Sequence, residues 1–199
     1  IGLPVVVKPR DGNHGRGVFL ELSTREEVEA AYPLAREQGS GVLVERFVPG
    51  IEHRLLVIGG RLIAAVRGET AWITGDGVST VAALVEAQLN SDPRRGTGDE
   101  QPLNLVELDP VARMDLKRQG FSPESVPPEG RRVLVQRNGN AACDVTDIVN
   151  PDVAGDVILA AQAVGLDIAG VDVVTTDITK PLASQGGAVV EVNASPGLH

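Results

Sequence analysis

Three oxygen-bearing side chains near the C-terminus have the types and spacing to hold a hard metal ion. Ala188 to Val192 is apolar apart from Glu191, the pattern of a mostly buried strand. Glu191 and Asn193, two residues apart, point to one face of it. A second apolar run, Ile168-Ala-Gly-Val-Asp172-Val-Val174, carries one carboxylate in its middle. If the two strands pair antiparallel, Asp172, Glu191 and Asn193 converge into an all-oxygen cluster, which suits Mg²⁺ held against phosphates rather than zinc or copper. A lone strand carboxylate is ordinarily a solvated edge residue; three oxygen ligands inside apolar strands are costly to bury unpaired.

A basic, glycine-rich counterpart lies near the N-terminus. Lys8 ends a short strand, Val5 to Val7, just ahead of a loop containing Gly12, Gly15 and Gly17. Glycines let backbone N–H groups approach phosphate oxygens closely, and an ammonium supplies the neutralising charge. His14 and Arg16 within the loop can both donate to phosphate. The spacing is not that of a Walker A loop, because no Gly-Lys-Ser/Thr follows and no helix opens there. Taken alone, the glycine pattern is also that of an ordinary hairpin tip. The next apolar strand, Val42 to Val48, carries Glu45 and ends in a kink at Pro49-Gly50 that offers backbone groups to an adenine edge. Glu52 lies where a carboxylate accepts from both ribose hydroxyls, and Arg54, on the same face, can reach a terminal phosphate. Singly, Glu45, Glu52 and Arg54 also fit surface charges on an edge strand.

The elements that must position these residues read as α+β with a mainly antiparallel sheet, because strands and helices mix without strict alternation. Val5–Val7 and Val18–Leu22 form a hairpin with a Gly-rich tip. Ser23-Thr-Arg-Glu26 is a capping box opening a helix with apolar face Val28, Tyr32 and Ala35, stopped by Gly39. Gly59-Gly60 between Leu55–Ile58 and Leu62–Val66 is a two-residue hairpin signal. Val78 to Leu89 is an amphipathic helix with apolar residues at 81, 84, 85 and 89, and Pro110 to Gln119 is another. Strand pattern returns at Arg131 to Gln136. Asn150-Pro151 and Gly165 frame a helix over 151–164, and strands at 168–175 and 187–192 close the chain. The division expected is 1–74 for the nucleotide, 75–130 as a small inserted lid, and 131–199 as the metal-binding core.

Composition narrows the partners. The 199 residues can bury one good core with a small appended lobe. A net charge of −9 argues against nucleic acid or an anionic membrane as partner. No apolar run approaches the roughly 20 residues of a membrane span, and no secretory leader is seen. The single Cys143 excludes an internal disulfide. A cytoplasmic location follows. The chain starts in a strand without an initiator Met, as a piece of a longer protein would.

The order Lys8-Pro9, Gly-rich tip, Val44-Glu45-Arg46-Phe47-Val48-Pro-Gly-Ile-Glu52, Asp172, Glu191-Val-Asn193 resembles the ATP-grasp ligases. Longer stretches resemble the ATP-grasp domain of cyanophycin synthetases: Lys8-Pro-Arg-Asp-Gly-Asn-His-Gly-Arg-Gly17, Glu52-His-Arg-Leu-Leu-Val57, Asp92-Pro-Arg-Arg-Gly96, Gly165-Leu-Asp-Ile-Ala-Gly-Val-Asp172 and Glu191-Val-Asn-Ala-Ser-Pro-Gly197. The resemblance implies an ATP-grasp fold that here lacks its N-terminal subdomain. It also implies a ligase that uses ATP and two Mg²⁺ to add aspartate to a cyanophycin primer through an acyl phosphate, as a homo-oligomer in the full-length protein. By the same resemblance Lys8 holds the α- and β-phosphates, Asn13, His14, Gly15, Arg16 and Gly17 close over the nucleotide, and Glu45, Arg46, Phe47 and Val48 form the adenine hinge. Glu52 meets the ribose, and Asp172, Glu191 and Asn193 hold the metal ions. Arg54 and Arg137 are the candidates for stabilising the terminal phosphate and the tetrahedral oxyanion. The chain departs from the family pattern in a short stretch at Asn138–Asp144, in Ser79 where a histidine is usual, and in a curtailed end after Gly197. Related readings are a glutathione-forming domain, a D-alanine-type dipeptide ligase, against which Gly170 counts, and a nucleotide-binding module without catalysis.

Overall fold

The computed structural model describes residues 2–11, 15–97, 101, 103–194 and 196, with backbone alone at 138–142. The elements in chain order are β1 (Val5–Pro9), β2 (Phe19–Leu22), α1 (Arg25–Arg36), β3 (Val42–Arg46), β4 (Ile51–Ile58), β5 (Arg61–Thr74) and α2 (Val81–Val85). They continue with β6 (Arg95–Gly96), β7 (Leu103–Asn104), α3 (Pro110–Arg118), β8 (Arg132–Asp144), α4 (Pro151–Ala163), β9 (Ile168–Thr175) and β10 (Ala188–Ala194). Two compact units result, one of Ile1–Phe47 with Thr70–Gly139 and one of Val48–Glu69 with Asn140–His199.

In the first unit β1 is the middle strand of a three-stranded sheet, antiparallel to β2 and β3. Alternation sends Val5 and Val7 into a core with Phe19, Leu22, Ala31 and Ala35, and turns Lys8 to the other face. The capping box of α1 sits one residue later than the sequence reading: Thr24 accepts from the Glu27 amide at 3.2 Å while Glu27 Oε2 accepts from the Thr24 amide. Both registers satisfy the pattern, and the realised one buries Ala31 and Ala35. Tyr32, expected inside, is 48% exposed. The helix ends at Arg36, ahead of Gly39, which lies against Pro9 and Asp11 instead of capping it. The expected helix over 78–89 is α2, capped by Thr80 and continued as a π-helical turn over Glu86–Asn90. β3 stops at Arg46, short of Val48. A second core gathers Ala71, Ile73, Val81, Val85, Leu116, Val133 and Val135.

In the second unit the sheet order is β10-β9-β4-β5-β8, with antiparallel pairing shown for β10–β9, β9–β4 and β4–β5. β5 and β8 contribute residues 61–69 and 140–144 here, the rest of each strand belonging to the first unit. The strand expected over Arg131 to Gln136 is longer, running as β8 from Arg132 to Asp144. Gly59 and Gly60, at φ of 56° and 69°, make the tight β4–β5 turn, a left-handed pair that only glycine adopts cheaply. One face of the sheet offers Leu55, Val57, Ala169, Val171 and Val173 to α4, which covers them with Val153, Val157 and Ala161. Asn150 caps α4 through the Asp152 amide at 2.9 Å, and Gly165, at φ 74°, ends it.

Candidate active site

The face of this sheet opposite α4 carries the polar residues. Register sets Arg54 of β4 directly across from Asp172 of β9, and Asp172 directly across from Glu191 of β10. Three strands thus present one row of side chains, flanked by Glu52 and Asn193. The alignment depends on a bulge between Val189 and Glu191, which leaves Val189 packed on the α4 side and turns Glu191 to the polar side. Asp172 is buried, and its carboxylate is fully engaged. Arg54 donates to it twice, from Nε at 2.8 Å and Nη2 at 2.9 Å, and Asn193 Nδ2 donates at 3.0 Å. His53, between Glu52 and Arg54, faces the other way, where Nδ1 donates to the Ile51 carbonyl at 2.9 Å and burial holds its imidazole below the usual range.

The electrostatics of the row are one-sided. Burial, followed by the charge of Asp172, lifts the Glu52 carboxyl above its ordinary value; Glu191 adds to the lift and Arg54 opposes it. Glu52 reaches solvent, yet enough protein surrounds it for lost hydration to lead. The hydrogen bonds it donates to Asp172 hold the Arg54 guanidinium more strongly protonated still. Three carboxylates against one guanidinium leave a formal excess of two negative charges, a site that favours a divalent cation.

In the first unit, Lys8 and Glu45 are diagonal neighbours across β1 and β3, with Lys8 Nζ 2.8 Å from Glu45 Oε2. The turn before β2 closes with Gly15 and Gly17 both at φ 70° and the Val18 amide on the Gly15 carbonyl at 3.2 Å. Arg16 between them is exposed. Asn13 and His14 lie outside the described residues. Past Arg46, the Phe47 amide is bound by the Pro4 carbonyl at 3.1 Å, and Val48 follows as the first residue of the second unit. Arg137, on β8, pairs with Glu21 at 2.9 Å and Asp115 at 3.3 Å.

No protein-family model matches the chain. It is 43% identical over 203 residues to the cyanophycin synthetase of Nostoc sp. strain PCC 7120, an alignment covering all of this chain and 22% of that protein. Among solved structures, the bifunctional glutathione synthetase from Pasteurella multocida superposes with a TM-score of 0.56 at 30% identity, covering 98% of this chain and 27% of that one. The D-alanine–D-alanine ligase from Bacillus anthracis superposes with a TM-score of 0.53 at 15% identity, over all of this chain and 45% of that one. The chain has the ATP-grasp fold and is homologous to cyanophycin synthetases over its whole length. It spans about a fifth of the length of those synthetases.

For this cyanophycin synthetase homologue, the donor set fits magnesium on two counts. The atoms are hard oxygens, and their charge is in excess. Among the described residues no three Asp, Glu, His or Cys side chains gather as a ready cage, so a metal ion held here would draw on a mixed set that includes the amide oxygen of Asn193. Its nitrogen is the atom turned to Asp172. What sequence reading missed is the Arg54–Asp172 fork. The signal was available in the apolar strands on either side of each charge, which leave a buried charge to find a charged partner.

Proposed function

We propose that the chain is the nucleotide- and metal-handling part of an ATP-dependent carboxylate–amine ligase that adds aspartate to a cyanophycin backbone. The observation that carries this is the row Arg54–Asp172–Glu191 with Asn193 on Asp172, in a chain so similar to cyanophycin synthetase. In this reading Lys8 leaves Glu45 to bind the α- and β-phosphates, and Gly15–Gly17 close on the phosphate chain. Glu45 and Val48 meet adenine, and Glu52 accepts from the ribose. Asp172, Glu191 and Asn193 hold two Mg²⁺; when bound, these ions draw off charge developing on the transferring phosphoryl group. Arg54, oriented by Asp172, stabilises the terminal phosphate. The backbone carboxylate takes the γ-phosphoryl group and ADP departs. The amine of aspartate then attacks the acyl phosphate, forming the amide as phosphate leaves and the amine gives up a proton. The segment 75–130 acts as the lid that keeps water from the acyl phosphate, and the reaction runs in the cytoplasm.

Glutathione-type ligation is the second reading, favoured by the 30% identical glutathione synthetase structure. A D-alanine-type ligase is disfavoured by Gly170: a Cβ there meets Pro196 Cβ at 2.5 Å, so the arginine such enzymes carry at that position does not fit unless Pro196 moves. The deciding experiment uses the full-length protein and measures ADP release from ATP with and without a β-Asp-Arg primer plus aspartate. Primer-dependent release supports the ligase. ATP binding without turnover under any amine replaces it with a nucleotide-binding module.

A further inference from the structure

Glu21 is the non-glycine residue with a left-handed backbone among the described residues, at φ 56°. It lies in a bulge of β2. Val5 pairs with Leu22 and Val7 with Phe19, so between these pairs one residue of β1, Val6, faces two of β2, Leu20 and Glu21. Such strain persists where the surroundings over-determine it, and here they do. Arg118, the last residue of α3, donates from Nη1 to the Leu20 carbonyl at 2.9 Å and from Nη2 to the Glu21 carbonyl at 3.2 Å. β2 is an edge strand of its sheet, and both carbonyls belong to the bulge. The same guanidinium bonds Glu27 Oε1 at 2.7 Å and Asp115 Oδ1 at 3.1 Å. Asp115, only 5% exposed, also accepts from Arg137, which holds the Glu21 carboxylate at 2.9 Å. One buried carboxylate therefore orients two arginines, and both grip the bulge.

A bulge sets the direction in which a strand leaves its sheet, and β2 is the strand entered from the turn at Gly15 and Gly17. Helix α3 is well placed to transmit that direction. Val111 and Met114 pack on the core beneath β1 and β2, while Leu116 belongs to the core of Ala71, Ile73, Val81 and Val133. We propose that Arg118 and Asp115 are positioning residues for the glycine turn, holding the β2 bulge so that the turn meets the triphosphate in a fixed pose and moves with segment 75–130. The inference rests on the nucleotide role given to that turn under the proposed function. No ion pair of Lys8 or of the Asp172 row enters it.

The test uses the full-length protein with Arg118→Lys, Glu21→Gln and, as control, Arg25→Ala in the exposed Arg25–Glu29 pair. Lysine keeps the charge but lacks the fork that spans four acceptors at once. Two readouts are taken in folded protein of matched melting temperature: KM for ATP against KM for the amino-acid substrate, and the rate of tryptic cleavage after Arg16 against cleavage after Arg61. The expected result for Arg118→Lys is a rise of about tenfold in KM for ATP with the amino-acid KM within about twofold, and cleavage after Arg16 alone accelerated about tenfold. Glu21→Gln, the milder change because its side chain is 46% exposed, should give about threefold in both readouts. Unchanged cleavage after Arg16 in both variants overturns the positioning role. Faster cleavage with no change in ATP KM keeps the bulge as an anchor but refutes its link to the nucleotide, and a wild type without ATP-dependent turnover refutes the proposed function instead.

Discussion

Replacing Arg54 by methionine keeps the aliphatic stem and removes the guanidinium from Asp172. The carboxylate left behind is 4% exposed. It loses two hydrogen bonds, at 2.8 and 2.9 Å, and keeps one, from Asn193 at 3.0 Å. Orphaning one member of a fully buried ion pair costs about 3–5 kcal/mol. Arg54 is itself 36% exposed, so water enters the space the guanidinium leaves and the cost falls to about 2–3 kcal/mol. Glu52 and Glu191 keep it from falling further, because the formal charge of the cluster goes from −2 to −3. At about 2–4 °C per kcal/mol for a domain of this size, the transition should drop by roughly 4–12 °C.

The same charge argument gives the sign of a second measurement. A cation at free concentration c that binds only the folded site stabilises by RT ln(1 + c/Kd), so by more the tighter it binds, and the more negative site binds a divalent ion more tightly. Millimolar MgCl₂ should therefore restore more of the melting temperature in Arg54→Met than it adds to wild type, while NaCl of equal ionic strength should not. Scanning calorimetry of the intact protein reads both effects. A loss below about 0.5 kcal/mol, or equal recovery with either salt, would refute the idea that Arg54 offsets the negative charge at Asp172.

Three further outcomes are expected. Glu191→Gln removes one of the oxygen charges assigned to the metal ions and should cut turnover of the intact enzyme about a thousandfold, roughly 4 kcal/mol of transition-state stabilisation; near-normal steady-state turnover rejects that role. Glu52 has a folded pKa raised above the ordinary 4.5, so the folded state binds its proton more tightly and the cost of Glu52 is absent below that ordinary value and grows as pH rises through the raised one. Glu52→Gln should thus melt with wild type near about pH 4 and above it at about pH 7, and equal melting at both pH values argues against the crowding of carboxylates. Gly50→Ala, at φ 143° with a Cβ 2.5 Å from the Thr175 carbonyl carbon, should lose about 3 kcal/mol or more in calorimetry, and a loss under about 1 kcal/mol shows that β4 and β9 have room to part.

The features legible in the sequence are those set by neighbours along the chain. Gly59-Gly60 needs only its own two dihedrals, and Asn150-Pro151 with Gly165 needs only the ends of α4. The pairing of Glu191 with Asn193 on one face needs only strand alternation. What escaped depends on residues far apart. Arg54 and Asp172 are 118 positions apart, and nothing within either strand says that β9 lies between β4 and β10. The bulge before Glu191 is hidden in a run of valines, any of which packs equally well, so the core contact of Val189 decides which residue is left over. The capping box shows the same limit at short range: two overlapping registers satisfy it, and the burial of Ala31 and Ala35 selects one. Charges in apolar strands therefore state that a partner exists, and topology alone states which one. In this chain the topology gives Asp172 an arginine on one side and a carboxylate on the other. That is why its row is internally paired and still carries the negative charge to attract a divalent cation.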